Sequence, residues 1–185
     1  MHCRKRELAI PVLGRRYFGI VRTRIRTMTS CNKASPDFIA RLETIEPSKT
    51  RENQKHRPCR LILKDGQIIP RAICVEDHRG FTTNSWIHPD AVARIEASAE
   101  RMPATLATKL YDAGESGMGY EIFRMKMKDG TSHVFLTPNV VDFPDLPEGY
   151  TTDDILDVFP HEGREESKHG LRLSREFRWC FYVTG

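Results

Sequence analysis

The sequence predicts an α+β, β-dominated fold: antiparallel meanders built on two Asp-Gly hairpins around one central amphipathic helix, with a terminal strand closing the sheet or barrel. Three observations carry this expectation. A Lys-Asp-Gly triplet stands twice between alternating apolar stretches, at Lys64-Asp65-Gly66 and Lys128-Asp129-Gly130. Asp-Gly flanked by period-2 alternation is the strongest short-range hairpin signal, because a type I′ turn needs positive φ at both central residues. Helix-start signals gather at Ile87-His88-Pro89-Asp90 ahead of an apolar stripe, and the last stretch, Phe177 to Val183, is aromatic and alternating.

Taken in order, residues 1–34 read as a basic, disordered arm, and an alternative start at Met28 would leave the first 27 residues outside the native protein. Ser35-Pro36-Asp37 opens a short helix through Ile45: Ser caps, Pro suits the first turn and Asp favours its positive end. Residues 47–58 are polar and read as a linker, so a β-rich domain begins at residue 59 and runs to 185. Cys59 to Val75 forms the first hairpin, Asp77-His78-Arg79-Gly80 a turn, and Phe81 to Trp86 a third strand. The central helix follows over 89–102, with His88 capping, Pro89 in the first turn and Val92, Ile95, Ala99 and Met102 on one stripe.

Beyond Pro103, Thr105 to Tyr111 reads as a strand, the glycines from Gly114 to Gly119 turn the chain, and the second hairpin spans Tyr120 to Thr137. The repeated strand-turn-strand arrangement on either side of one helix suggests an internal duplication. Residues 138–160 hold four prolines and read as extended loop with a helical turn near Thr152 to Phe159. In the terminal strand, Trp179, Phe181 and Val183 face away from Cys180 and Tyr182.

Among 185 residues, 39% hydrophobic and 29% charged, no apolar run approaches the roughly 20 residues of a membrane span. Five widely spaced cysteines, without a Cys-x-x-Cys pair, point to a reducing, cytoplasmic setting rather than a disulfide framework. The net charge of +4 conceals an asymmetry: residues 1–27 carry +7, whereas Asp142 to Glu166 carries −8. That acidic segment offers a surface for a basic partner or for the chain's own arm, or neutralises the basic face from within.

A two-residue turn at Asp129-Gly130 sets Met127 opposite Ser132, Met125 opposite Val134 and Phe123 opposite Leu136 on one face. The other face then pairs Lys128 with Thr131, Lys126 with His133 and Arg124 with Phe135. The same construction at Asp65-Gly66 gathers Lys64, Arg60 and Arg71 on one side, Arg60 opposite Arg71. Arg60, Lys64, Arg71, Arg124, Lys126, Lys128 and His133, with Phe135 among them, thus form a cationic face with an interleaved aromatic, one route to single-stranded nucleic acid or another anion. The ordinary alternative is a solvated outer sheet face.

Other constellations are weaker. Gly114-x-x-Gly117-x-Gly119 leads into a strand, whereas phosphate-cradling loops lead into a helix. The seven histidines contain no i, i+4 pair, and only a meeting of Asp77, His78, His161, Glu162 and Cys180 in the fold would supply zinc or iron ligands. Ser116 has no base near it in sequence. No cofactor is indicated. The stretch Leu63-Lys64-Asp65-Gly66, with Asp77 eleven residues after the glycine and a short helix before it, resembles the first motif of Sm-like RNA-binding proteins. Arg71 stands where that motif carries glycine, no second motif follows, and the Asp-x-Ser-x-x-Gly signature of PilZ domains is missing. The reading that emerges is a non-enzymatic binding or interaction module of unidentified partner, with a nucleic-acid or anion binder second and a small metal-dependent enzyme third.

Overall fold

The computed structural model describes residues 33–51, 54–76, 86–138, 140–166 and 173–184. Two helices, α1 (Pro36–Glu43) and α2 (Ala104–Ala113), accompany eight strands: β1 (Lys49–Arg51), β2 (Gln54–Leu63), β3 (Ile68–Glu76), β4 (Val92–Glu96), β5 (Glu121–Met127), β6 (Ser132–Thr137), β7 (Ile155–Pro160) and β8 (Arg178–Tyr182). The fold is β-dominated, with two sheets. In the first, β1, β2, β3 and β8 lie side by side and β4 adds to β2; in the second, β5 lies between β6 and β7.

The first helix forms as its cap predicts. Ser35 accepts the Phe38 N–H at 3.2 Å, Pro36 occupies the first turn, and Phe38 and Leu42 are buried. They cover one face of the first sheet, where Cys59, Leu61, Ala72, Cys74, Cys180 and Tyr182 form a core. Ile73 and Val75 point to the opposite face, against Val140 and Phe143, with Phe177, Trp179 and Phe181 alongside. The second sheet makes its own core under α2, from Phe123, Met125, Met127, Phe135, Ile155 and Val158 against Ala107 and Leu110.

Both Asp-Gly connections depart from the expected turn. Leu63 N–H donates to Gln67 O at 2.9 Å and Gly66 N–H to Leu63 O at 3.0 Å; Met127, Thr131 and Gly130 repeat the pattern. Only the glycines have positive φ, 88° at Gly66 and 89° at Gly130. Each loop is therefore three residues long, a tight turn closed by a left-handed glycine, rather than the two-residue type I′ form. The aspartates explain the choice: Asp65 Oδ1 accepts the Gln67 N–H and Asp129 Oδ1 the Thr131 N–H, both at 2.9 Å, which holds the Asp backbone short of the left-handed region.

One extra loop residue shifts the register. Phe123 now faces Phe135, Arg124 faces Val134 and Met125 faces His133. Phe135 accordingly leaves the cationic face and stacks on Phe123 in the core, ring centroids 5.5 Å apart. In the first pair the shift is confined to the turn end, Leu61 facing Ile69, and an irregularity between Leu61 and Cys59 restores the expected Cys59–Ala72 pairing.

Four further expectations are corrected. Residues 89–102 are not a helix: the start signals hold for one 3₁₀ turn, Pro89–Ala91, with His88 Nδ1 accepting the Asp90 N–H at 3.2 Å, and then Val92 to Glu96 pairs with β2. The ten-residue β2 extends past β1 and offers a free edge, which β-branched Val92 and Ile95 fill. The helix instead occupies 104–113, where Ala107, Leu110 and Tyr111 share a 3.6-period face that outweighs the apparent alternation. Residues 47–58 already belong to the first sheet, since β1 and β2 pair at Lys49–His56. Within 138–160 the chain forms a 3₁₀ turn at Thr152–Asp154 and then β7, paired with the free edge of β5.

The terminal strand closes neither a sheet nor a barrel. It runs parallel to β3 from Ala72–Arg178 to Glu76–Tyr182. The turn expected at 77–80 and nearly all of the strand expected at 81–86 lie outside the described residues, as does the arm up to residue 32.

Candidate anion-binding groove

Arg60 and Arg124 of the hairpins are paired within the chain. Arg60 faces Glu96 across the β2–β4 pair and bridges it at 3.4 Å. Arg124 grips Glu166 with both terminal nitrogens, at 2.5 and 3.0 Å, and reaches Glu162 at 3.4 Å. The Glu166 hydrogen bonds push the Arg124 pKa up, and in return Arg124 holds the Glu166 carboxyl below its usual range. Lys126 lies opposite Asp157, whose carboxyl is held low first by the Lys109 hydrogen bond at 2.8 Å. Lys64 and Lys128 are exposed at the two turns, beside Asp65 and Asp129. His133 sits edge-on to Tyr150, centroids 5.7 Å apart, on the same side as Met125. The residues from Asp142 to Glu166 thus supply counter-charges within the molecule.

Arg71 is placed differently. Because β8 joins β3 only from Ala72 onward, the two segments part upstream of that pair. Pro70 has no N–H to offer a neighbour, and its carbonyl is taken by the Ser98 hydroxyl at 2.8 Å. On the other side, residues 173–175 are tied to the preceding loop: Asp145 N–H donates to Leu173 O at 3.0 Å and Arg175 N–H to Phe143 O at 2.8 Å. The fork is an open groove of about 500 Å³, lined by Ile69, Pro70 and Arg71 on one wall and residues 174–178 on the other.

Three arginines line it, Arg71, Arg175 and Arg178. Arg71 Nη1 and Arg175 Nη1 both donate to Glu100 Oε2, at 2.5 and 2.8 Å, while Arg71 Nε donates to Glu176 O at 2.6 Å and Arg175 Nε to Asp145 Oδ1 at 3.1 Å. Partial burial pushes the Glu100 carboxyl up, but the hydrogen bonds from Arg175 and Arg71 outweigh it and leave the group below its usual range. Arg178 is exposed and makes no ion pair among the described residues. Phe177 also lines the groove and stands edge-on to Trp179, ring centroids 5.2 Å apart. Of the eight residues predicted to bind anions, the groove contains Arg71 alone; the overlooked signal was Arg175-x-Phe177-Arg178, cations around an aromatic just where the terminal strand begins.

The fold also brings Ser116 a base that sequence distance hid, since its Oγ is 2.8 Å from His161 Nδ1 and His161 Nε2 is 3.2 Å from Ala113 O. Yet the same hydroxyl accepts the Ile122 N–H at 2.8 Å and lies 3.1 Å from Ile122 O. A hydroxyl has one hydrogen and two lone pairs, so these links use its capacity to close the turn. Cys59 and Cys74, with sulfurs 3.6 Å apart, and Cys180 are buried thiols. Hydrogen bonds from Cys180 and Cys59, with burial, push the Cys74 thiol well up, which makes it inert. Cys180 is thereby in the core of the first sheet, whereas His161 and Glu162 follow β7 of the second; Asp77 and His78 lie outside the described residues. No group of three or more His, Cys, Asp or Glu among the described residues is placed to hold a metal. No helix among them is long and apolar enough to cross a membrane. Compared with known proteins, the chain matches no family model, no curated protein and no solved structure.

Proposed function

We propose that the protein is a non-enzymatic binding module of a reducing, cytoplasmic compartment, and that it engages an acidic partner through the Arg71–Arg175–Arg178 groove rather than through the hairpin faces. The observation that carries this reading is the contrast in partners. Arg60 and Arg124 are committed to carboxylates of their own chain, as Arg71 and Arg175 are to Glu100 and Asp145, whereas Arg178 makes no ion pair among the described residues and lines a concavity that also contains an aromatic ring. Exposed cations beside an aromatic in a groove suit anion recognition by charge and ring contact together.

The test is the affinity of labelled single-stranded RNA, single-stranded DNA and an oligoglutamate peptide for the full chain across a salt series, with Arg178→Glu and Lys126→Glu beside the parent. Binding of one or more of these polyanions should weaken with salt, and Arg178→Glu should cost about tenfold or more, as expected for reversing a contacting charge. Lys126→Glu should change little. Binding that follows Lys126 and ignores Arg178 would move the site back to the hairpin face, and no salt-dependent binding by any of the three would remove the reading.

A further inference from the structure

We infer that the groove takes a phosphomonoester attached to a planar ring, of the size of one nucleotide, with the ring against Phe177 and the phosphate on the converging Arg71 and Arg175 and on Arg178 beside them. The inference rests on the binding reading above and adds the ligand's chemistry. Its first support is size: about 500 Å³ falls within the range of small-ligand sites. The second is the division of the lining, with Ile69, Pro70 and Phe177 apolar and the arginines charged. Such a surface suits a molecule with an apolar body and an anionic end.

The third support is the way the arginines converge. Arg71 and Arg175 place Nη1 on one and the same oxygen, Glu100 Oε2, at 2.5 and 2.8 Å. Glu100 therefore acts as a positioning residue that brings two guanidinium groups together. Each guanidinium carries five N–H donors, and Arg71 and Arg175 commit only Nε and Nη1 to partners among the described residues. The planar fork of donors that remains matches phosphate geometry better than a lysine ammonium would.

Charge alone does not make this site. Glu100 and Asp145 offset Arg71 and Arg175, and the exposed Glu176 on the groove wall opposes Arg178. A bare phosphate ion is accordingly held weakly, and the ring must supply the rest by stacking. The signature is cooperation between the two ends of the ligand.

Isothermal titration of the full chain at low salt, with inorganic phosphate, adenosine, adenosine monophosphate and a 5′-phosphorylated hexa-adenylate as probes, tests this. The monophosphate should bind about tenfold or more tighter than phosphate or adenosine, the gain expected from one stacked base. Arg178→Ala should weaken the monophosphate and leave adenosine unchanged, while Phe177→Leu should weaken both. Arg178 is exposed, so its variant folds whatever Phe177 contributes to packing. A monophosphate no tighter than phosphate, or one indifferent to Arg178→Ala, overturns the inference. If it fails while RNA, DNA or oligoglutamate still responds to Arg178→Glu, the binding reading stands and only the ligand class falls; if no polyanion responds, both fall. A hexa-adenylate tighter than the monophosphate assigns the site to a strand, and equal affinities assign it to the terminal nucleotide alone.

Discussion

His56 carries the clearest pH dependence at the scale of one residue. It lies on β2 between Tyr111 and Trp179, edge-on to both, with centroids 6.1 and 5.8 Å away. Burial, with the Lys49 charge adding to it, lowers its pKa from 6.5 to about 4. The unfolded chain therefore binds a proton more readily than the folded one between those values. The stability that the neutral ring contributes is fully present above pH 6.5 and is lost as pH falls to about 4. The whole window is worth about 3 kcal/mol. Nδ1 is buried without a hydrogen-bond partner among the described residues, so His56→Phe keeps the edge-on packing and sacrifices no bond. Urea unfolding at neutral and mildly acid pH should show the parent weakening across this window and His56→Phe weakening much less. Equal acid slopes in the two proteins would show that His56 does not set it.

At the scale of the element, the glycines that end strands divide into two kinds. Gly66 has φ 88° and open space where a Cβ would stand, so Gly66→Ala should cost only the left-handed backbone penalty, about 1–2 kcal/mol. Gly163 has φ 94°, and its Cβ would lie 2.4 Å from Val134 Cγ2, because the turn after β7 presses directly onto β6. Gly163→Ala should therefore cost clearly more, read as a larger drop in the urea midpoint, and equal drops would mean that β6 gives way freely. The α1 start was legible in the sequence because its determinants, Ser35, Pro36 and Asp37, act within one turn. The β4 strand was not, because what converts Val92–Glu96 from helix to strand is a free edge of β2 some thirty positions earlier. The loop register was misread for a local reason: an Asp side chain that accepts its second neighbour's N–H satisfies the turn without positive φ of its own. Within the groove, Arg71 was legible as a cation, but Glu100 stands 29 positions from Arg71 and 75 from Arg175, and only the fold joins them.

At the scale of the whole molecule, α2 ties the two sheets together through polar groups that the core surrounds. Tyr111 donates to Asp142 Oδ2 at 2.6 Å and accepts the Val141 N–H at 3.3 Å, while Thr108 donates to Ser48 O at 2.9 Å just before β1. Lys49 of β1 lies over the Tyr111 ring at 4.8 Å. Asp142 is fully buried, and Met102 N–H donates to its carbonyl at 2.9 Å. Burial pushes the Asp142 carboxyl up, partly offset by hydrogen bonds that include Tyr111 and by the charge of Arg101. With a raised folded pKa, this group's stabilisation is fully present below the ordinary carboxylate value and is lost as pH rises through the folded value, opposite in sign to His56. At neutral pH the ionised form is thus a cost that the Tyr111 hydroxyl reduces. Tyr111→Phe leaves a buried carboxylate oxygen without that donor and should destabilise by about 1–3 kcal/mol. Asp142→Asn keeps an acceptor for Tyr111 and removes the charge, so it should cost less, and the double variant should fall short of the summed single losses, since residues in one network couple. Urea unfolding of the three variants at neutral pH separates the cases. If Asp142→Asn proves the more damaging change, the carboxylate is held chiefly by its attraction to Arg101, and the junction between the sheets is ionic rather than hydrogen-bonded.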